Sequence, residues 1–147
     1  MKTEIQTVLA IVSATISIIC SAQDITPCNQ RPEIEAIAKS FNIRWESAVT
    51  EASVSRLAGV YAHGAILMPP TDETLVGNTT IADFWSREEV IANLADYSFD
   101  LMSCELRGEA LIISGVWGTD FQTTGNLLRV LDRNDSGEWV SRYEIWN

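Results

Sequence analysis

The chain has 147 residues, enough for one compact domain and too few for two. Apolar residues make up 46% of it and charged residues 20%, the balance of a chain that buries a core rather than one that stays disordered. With 20 acidic residues against 10 basic ones, a net charge of -10 and only Lys2 and Lys39 as lysines, it excludes nucleic-acid phosphates and anionic membrane surfaces as partners.

Ile5 to Gln23 carry no charge, and the apolar stretch Val8–Cys20 ends in the small-residue exit Cys20-Ser21-Ala22. This reads as a secretory signal peptide, residues 1–22, cut after Ala22. An uncleaved membrane anchor is the alternative, although the apolar core is short of the roughly 20 residues that a span needs. Lipid attachment at Cys20 fits less well, because bulky Ile19 precedes it. Cleavage removes Lys2 and Glu4 together, so the mature charge stays at -10. Residues 23–30 then form an N-terminal arm and residues 31–147 the domain. Cys28 and Cys104 remain, and an oxidising compartment permits them to pair; spacing alone leaves a disulfide and two separate thiols both open. Asn78-Thr79-Thr80 and Asn134-Asp135-Ser136 are glycosylation sequons, meaningful only in a eukaryotic host.

After Pro32, the residues Ile34, Ile37, Ala38, Phe41, Trp45, Ala48 and Val49 follow the three-and-four spacing of one helical face, which predicts a long amphipathic helix. Ser53 caps a second helix carrying Val54, Leu57, Ala58 and Tyr61, which Gly64 stops, with His63 at its end. Ala65-Ile66-Leu67-Met68 reads as a short buried strand, closed by Pro69-Pro70 and a polar loop. Asn78 or Thr79 opens a third helix, with Ile81, Phe84 and Trp85 on its buried face, fading near Leu94. From Tyr97 onward, turn signals at Arg107-Gly108-Glu109, Gln122–Gly125 and Asn134–Gly137 divide four antiparallel strands. Helices first and strands last predict an α+β domain with helices on one face of a curved sheet.

The chemistry is sparse. No Gly-rich phosphate loop, nucleophile-elbow serine or paired Cys-x-x-Cys is present, so no cofactor is expected. One histidine and two distant cysteines do not make a zinc set, so no metal is expected either. His63 reads as a helix-terminal residue rather than the base of a hydrolase triad.

Several strings resemble the SnoaL-like group of the nuclear transport factor two-like superfamily, the relatives of ketosteroid isomerases and polyketide cyclases. They are Tyr61-Ala62-His63-Gly64-Ala65-Ile66-Leu67-Met68-Pro69-Pro70, Gly77 through Ile81-Ala82-Asp83-Phe84-Trp85, and Gly137-Glu138-Trp139 through Glu144-Ile145-Trp146-Asn147. With Trp45, the resemblance covers residues 31–147; His63-Gly64 and Glu144 depart from aspartates in the family pattern. The resemblance implies a cystatin-like cone, a bent antiparallel sheet wrapped on the long first helix with a pocket at the wide end. It also implies a homodimer through the outer sheet face.

Alternation along the last strand separates Trp139, Ser141, Tyr143 and Ile145 from Val140, Arg142, Glu144 and Trp146, and the resemblance turns the second set inward. Steroid isomerisation needs a carboxylate base and two acids, and the matching positions are Pro69, Trp45 and Arg129, none of which can serve. What the match leaves is a ligand pocket of Trp45, Tyr61, Met68, Trp85, Arg129, Arg142, Glu144 and Trp146, suited to a small apolar molecule. Arg129, Arg142 and Glu144 either form a mutually satisfied buried cluster or face an open pocket and hold a polar group. If a proton moves at all, Glu144 is the candidate catalytic base. Three functions follow as expectations: an exported small-molecule binder, an isomerase- or cyclase-type enzyme, or a dimerisation module.

Overall fold

The computed structural model describes residues 28–71, 73–94, 96–119 and 124–147; the signal-peptide reading lies outside these. Cys28–Gln30 make a single 3₁₀ turn, followed by α1, Pro32–Thr50. Proline in the first turn needs no amide partner, and Glu33 and Glu35 there favour the positive end of the helix dipole. The buried face of α1 is Ile34, Ala38, Phe41, Trp45, Ala48 and Val49, the face that the spacing predicts, with Ile37 half-buried beside it. Ala52 (φ 49°) turns the chain into α2, Val54–Val60, which buries Leu57 and Val60.

The second helix stops three residues earlier than its sequence suggests. Tyr61 already has extended backbone, and β1 runs Tyr61–Met68, pairing in parallel with the last strand (Tyr61 opposite Ser141, Met68 opposite Ile145). Pairing with a distant strand outweighs the local helical period, so His63 lies exposed on β1 rather than at a helix end. The polar loop contains a two-residue strand, β2 (Leu75–Val76), paired with β1. Gly77 (φ 95°) turns the chain into α3, Asn78–Trp85. The expected third helix is in fact two: Arg87 is extended, Ser86 Oγ donates to Asp83 O, and α4 (Glu88–Asn93) begins afresh.

The four expected antiparallel strands are β3 (Ser98–Arg107), β4 (Ala110–Gly118), β5 (Thr124–Arg133) and β6 (Trp139–Trp146), and the six strands run β2-β1-β6-β5-β4-β3 across one sheet. The register shifts between Leu101 and Ser103 on β3, opposite Gly115 and Ser114. A side chain at Gly115 would meet Asp100 O at 2.2 Å, so only glycine lets β3 fold so closely over β4. Helix α1 packs on the inner face, where Phe41, Trp45 and Ala48 join Leu111, Ile113, Leu127, Leu131 and Trp146 in one core. Cys28 and Cys104 are buried and form a disulfide with Cα atoms 4.9 Å apart, tying the start of α1 to β3.

A second shift, on β6, decides the site. Val130 pairs with Tyr143 and Leu131 with Ser141, so Arg142 is the extra residue of a bulge. The bulge breaks the strict alternation read from the sequence. Ser141, Glu144 and Trp146 are buried, whereas Arg142 leaves its expected place among them and pairs with Asp132, its side chain 47% exposed. Met68 is also displaced from the expected pocket. On β1 Ala65 and Leu67 point inward, so their neighbour Met68 points outward and is 43% exposed. The outer face carries Met102, Val116, Leu128, Tyr143 and Ile145 as exposed apolar side chains.

Candidate functional site

Arg129 and Glu144 stand directly opposite each other on β5 and β6, and their side chains meet inside the cone with relative exposures of 0% and 1%. Every lone-pair direction of Glu144 is occupied. Its Oε1 accepts from Tyr61 Oη (3.2 Å) and Trp146 Nε1 (2.7 Å), and its Oε2 from Arg129 Nε (2.6 Å) and Ser141 Oγ (3.2 Å). Trp45 Nε1 in turn donates to Tyr61 Oη at 2.7 Å. The bulge at Arg142 is what brings Ser141 to the carboxylate, since strict alternation would turn it away.

The guanidinium of Arg129 lies against Phe41 (4.9 Å from Cζ to the ring centroid) and Trp45 (5.4 Å), an arrangement that favours the cation through the ring faces. Burial acts to lower the Arg129 pKa, but the charge and hydrogen bond of Glu144 prevail and hold it above its ordinary value. Burial drives the Tyr61 hydroxyl well above the ordinary tyrosine range, and the Glu144 charge adds to the effect. Tyr97 is raised for the same first reason. Both tyrosines are therefore neutral at any physiological pH. Arg129 Nη1 and Nη2, Tyr97 Oη and Trp85 Nε1 are buried without hydrogen-bond partners. The polar centre is thus well supplied around the carboxylate and undersupplied with acceptors on the donor side.

Outside this centre the aromatic rings stack toward the wide end. Trp45 contacts Trp85 (5.2 Å between centroids) and Trp146 (5.5 Å), and Trp146 contacts Trp85 (5.2 Å) and Trp117 (5.4 Å). Beyond Trp85, Trp117 and Trp146 a cleft of about 540 Å³ opens, whose remaining wall comes from Pro70, Thr71, Phe84, Arg87, Glu89, Val90, Asn93 and Leu94. That volume and its apolar walls with a few polar groups match the usual form of a small-molecule site. A groove of about 620 Å³ at the far hairpin tips is lined instead by Arg107, Arg133 and Arg142 together with Glu109 and Asp132. Among the described residues no three His, Cys, Asp or Glu side chains gather as metal ligands.

Of the eight residues expected around a pocket, the structure brings together six. Trp85 and Trp146 line the cleft; Trp45, Tyr61, Arg129 and Glu144 lie behind it in the closed centre, and Met68 and Arg142 are on the outside. Sequence reasoning missed Trp117, Phe84 and Arg87 as wall residues. Trp117 was detectable by alternation with Leu111, Ile113 and Gly115, all buried on β4, whereas Arg87 reaches the wall only because the chain breaks between α3 and α4.

A helix laid across a bent six-stranded sheet is the arrangement of the cystatin-like, nuclear transport factor two-like structures, and the chain has that fold. Among solved structures, Aln2 from a Streptomyces species aligns with a TM-score of 0.66 at 17% identity, covering 79% of this chain and 91% of its own. A ketosteroid isomerase-like protein from Erwinia carotovora atroseptica aligns at 0.59 with 15% identity, covering 78% and 95%. An NTF2-like protein with a cystatin-like fold from Novosphingobium aromaticivorans aligns at 0.62 with 12% identity, covering 81% and 84%. At these identities the likeness is one of fold. No protein-family model and no curated protein matches the chain.

Proposed function

We propose that this is an exported SnoaL-like protein that binds a small, largely apolar molecule in the cleft bounded by Trp85, Trp117 and Trp146. The observation that carries the reading is the cleft itself: about 540 Å³ of open space bounded by three indoles and Phe84. Export is supported by the uncharged apolar segment Ile5–Gln23 and by a buried disulfide, which an oxidising compartment maintains. A homodimer through the outer sheet face is supported by Met102, Val116, Leu128, Tyr143 and Ile145, five exposed apolar side chains on that face. On that reading Tyr143→Glu yields a monomer with its cleft intact.

The isomerase or cyclase alternative, with Glu144 as base and Arg129 as electrophilic partner, has less support. Four hydrogen bonds leave the carboxylate no free lone pair, and the indole of Trp146 stands between it and the cleft. Glu144 is better read as the anchor of Tyr61, Trp146 and Arg129, which together set the back wall. Native mass spectrometry of protein purified from its own host, and a co-crystal with 2-acetylnaphthalene, test the reading. A retained small molecule and a ring seated against Trp85, Trp117 and Trp146 are expected; an empty protein and an unoccupied cleft overturn it.

A further inference from the structure

The rim of the cleft differs in chemistry from its floor. The floor is indole, whereas the rim carries Arg87, Glu89 and Asn93. Arg87 Cζ lies 5.3 Å from the Phe84 ring centroid, which holds the cation over the cleft wall. Among the described residues Arg87 enters no ion pair, like Arg31, Arg44 and Arg133 and unlike Arg56, Arg107, Arg129 and Arg142, and among these unpaired arginines Arg87 is the one that lines the cleft. Trp85 Nε1, on a residue of the same wall, is a buried donor without an acceptor. Arg87 therefore sets a cation, without a carboxylate partner among the described residues, beside a space whose floor accepts apolar rings.

We infer that the ligand is a ring-bearing monocarboxylate, its ring on the indoles and its carboxylate against Arg87; this rests on reading the cleft as a small-molecule site. A planar carboxylate matches the guanidinium fork with two parallel hydrogen bonds, which a ketone or an alcohol cannot do. The rest of the molecule opposes an anion: Glu89 shares the rim, and the net charge is -10. Selectivity for a carboxylate therefore comes from Arg87 locally, and Arg87 and Glu89 act on it in opposite directions.

Calorimetric titration of the full protein with 2-naphthoate and with its neutral isostere 2-acetylnaphthalene separates the possibilities. The carboxylate is expected to bind more tightly than the ketone, and an exposed charge pair sets the scale. Arg87→Gln weakens 2-naphthoate about three- to tenfold and leaves 2-acetylnaphthalene within about twofold. Glu89→Gln strengthens 2-naphthoate about twofold, and about 0.5 M salt erodes the carboxylate's advantage. Both positions are exposed, so the variants fold as the parent does. If 2-acetylnaphthalene occupies the cleft and 2-naphthoate has no Arg87-dependent advantage, the carboxylate assignment falls and the binding site stands. If neither probe occupies the cleft, the small-molecule reading falls and takes this inference with it.

Discussion

Glu144 and Trp146 are two residues apart on β6, both buried on the inner face, yet they belong to opposite regimes. Around Glu144 the interior is closed: four donors converge on one carboxylate, and Arg129 is sealed beneath Phe41 and Trp45. On the far side of the Trp146 ring, the cone is open to a cleft with an indole floor and a polar rim, where Trp85 Nε1 and Trp117 Nε1 have no hydrogen-bond partner. The difference lies in what each region can give up. A buried ion pair with its hydrogen bonds cannot lose a member without leaving a charge uncompensated, whereas a cleft can be filled or emptied at little cost to the fold. The closed region gives the back wall its rigidity, and the open one supplies the space on which the proposed binding rests.

Breaking the closed region should have the largest effect. Arg129→Met leaves Glu144 buried and unpaired and should cost about 3–5 kcal/mol in urea unfolding, and the double variant with Glu144→Gln should recover part of the loss. Equal losses in the single and double variants would show that packing, not charge, holds the centre. Next comes the disulfide, which closes a 76-residue separation between α1's leading turn and β3. Replacing both Cys28 and Cys104 by Ser should cost about 2–5 kcal/mol, read as a lowered urea midpoint with the cleft unchanged.

Titration gives a smaller, graded effect. Tyr61 and Tyr97 are both raised from an ordinary value of 10.0, so the folded protein keeps their protons where the unfolded chain loses them. Their contribution is complete below pH 10 and disappears as pH rises through the folded-state values. Stability should therefore fall above about pH 10 by up to about 1.4 kcal/mol per pH unit for each tyrosine. Tyr97→Phe should flatten that slope; an unchanged slope would mean that its hydroxyl ionises freely in the fold. The smallest effect on stability is expected in the open region. Asn93→Trp, at an exposed position on α4 lining the cleft, should change stability by no more than about 0.5 kcal/mol and abolish binding of 2-acetylnaphthalene. Retained binding would place the ligand elsewhere.

Much of this architecture is legible in the sequence. The buried face of α1 follows from the spacing of Ile34, Phe41, Trp45 and Val49, and the four later strands from their turn residues. The opposition of Arg129 and Glu144 follows from an antiparallel hairpin, although the exact register needs the structure. The β1–β6 pairing is different, because a parallel partner about 80 residues away leaves no local mark, and so His63 is misread as a helix end. Arg142 fails for another reason. A bulge is a property of two strands, since Leu131 pairs with Ser141 only when Arg142 is extruded, and one strand's alternation cannot show it.

The α+β class, the acidic net charge of -10 and an interior with aromatic, Arg and Glu side chains are already present in the sequence. These depend on composition and on periodicities that each element carries within itself. The closure of the ion pair, the outward turn of Arg142 and Met68, and the open space beyond Trp146 with Trp117 and Arg87 on its walls come instead from tertiary packing. Burial and openness are set by how strands register and how helices cover the sheet, relations between distant segments that no local pattern contains.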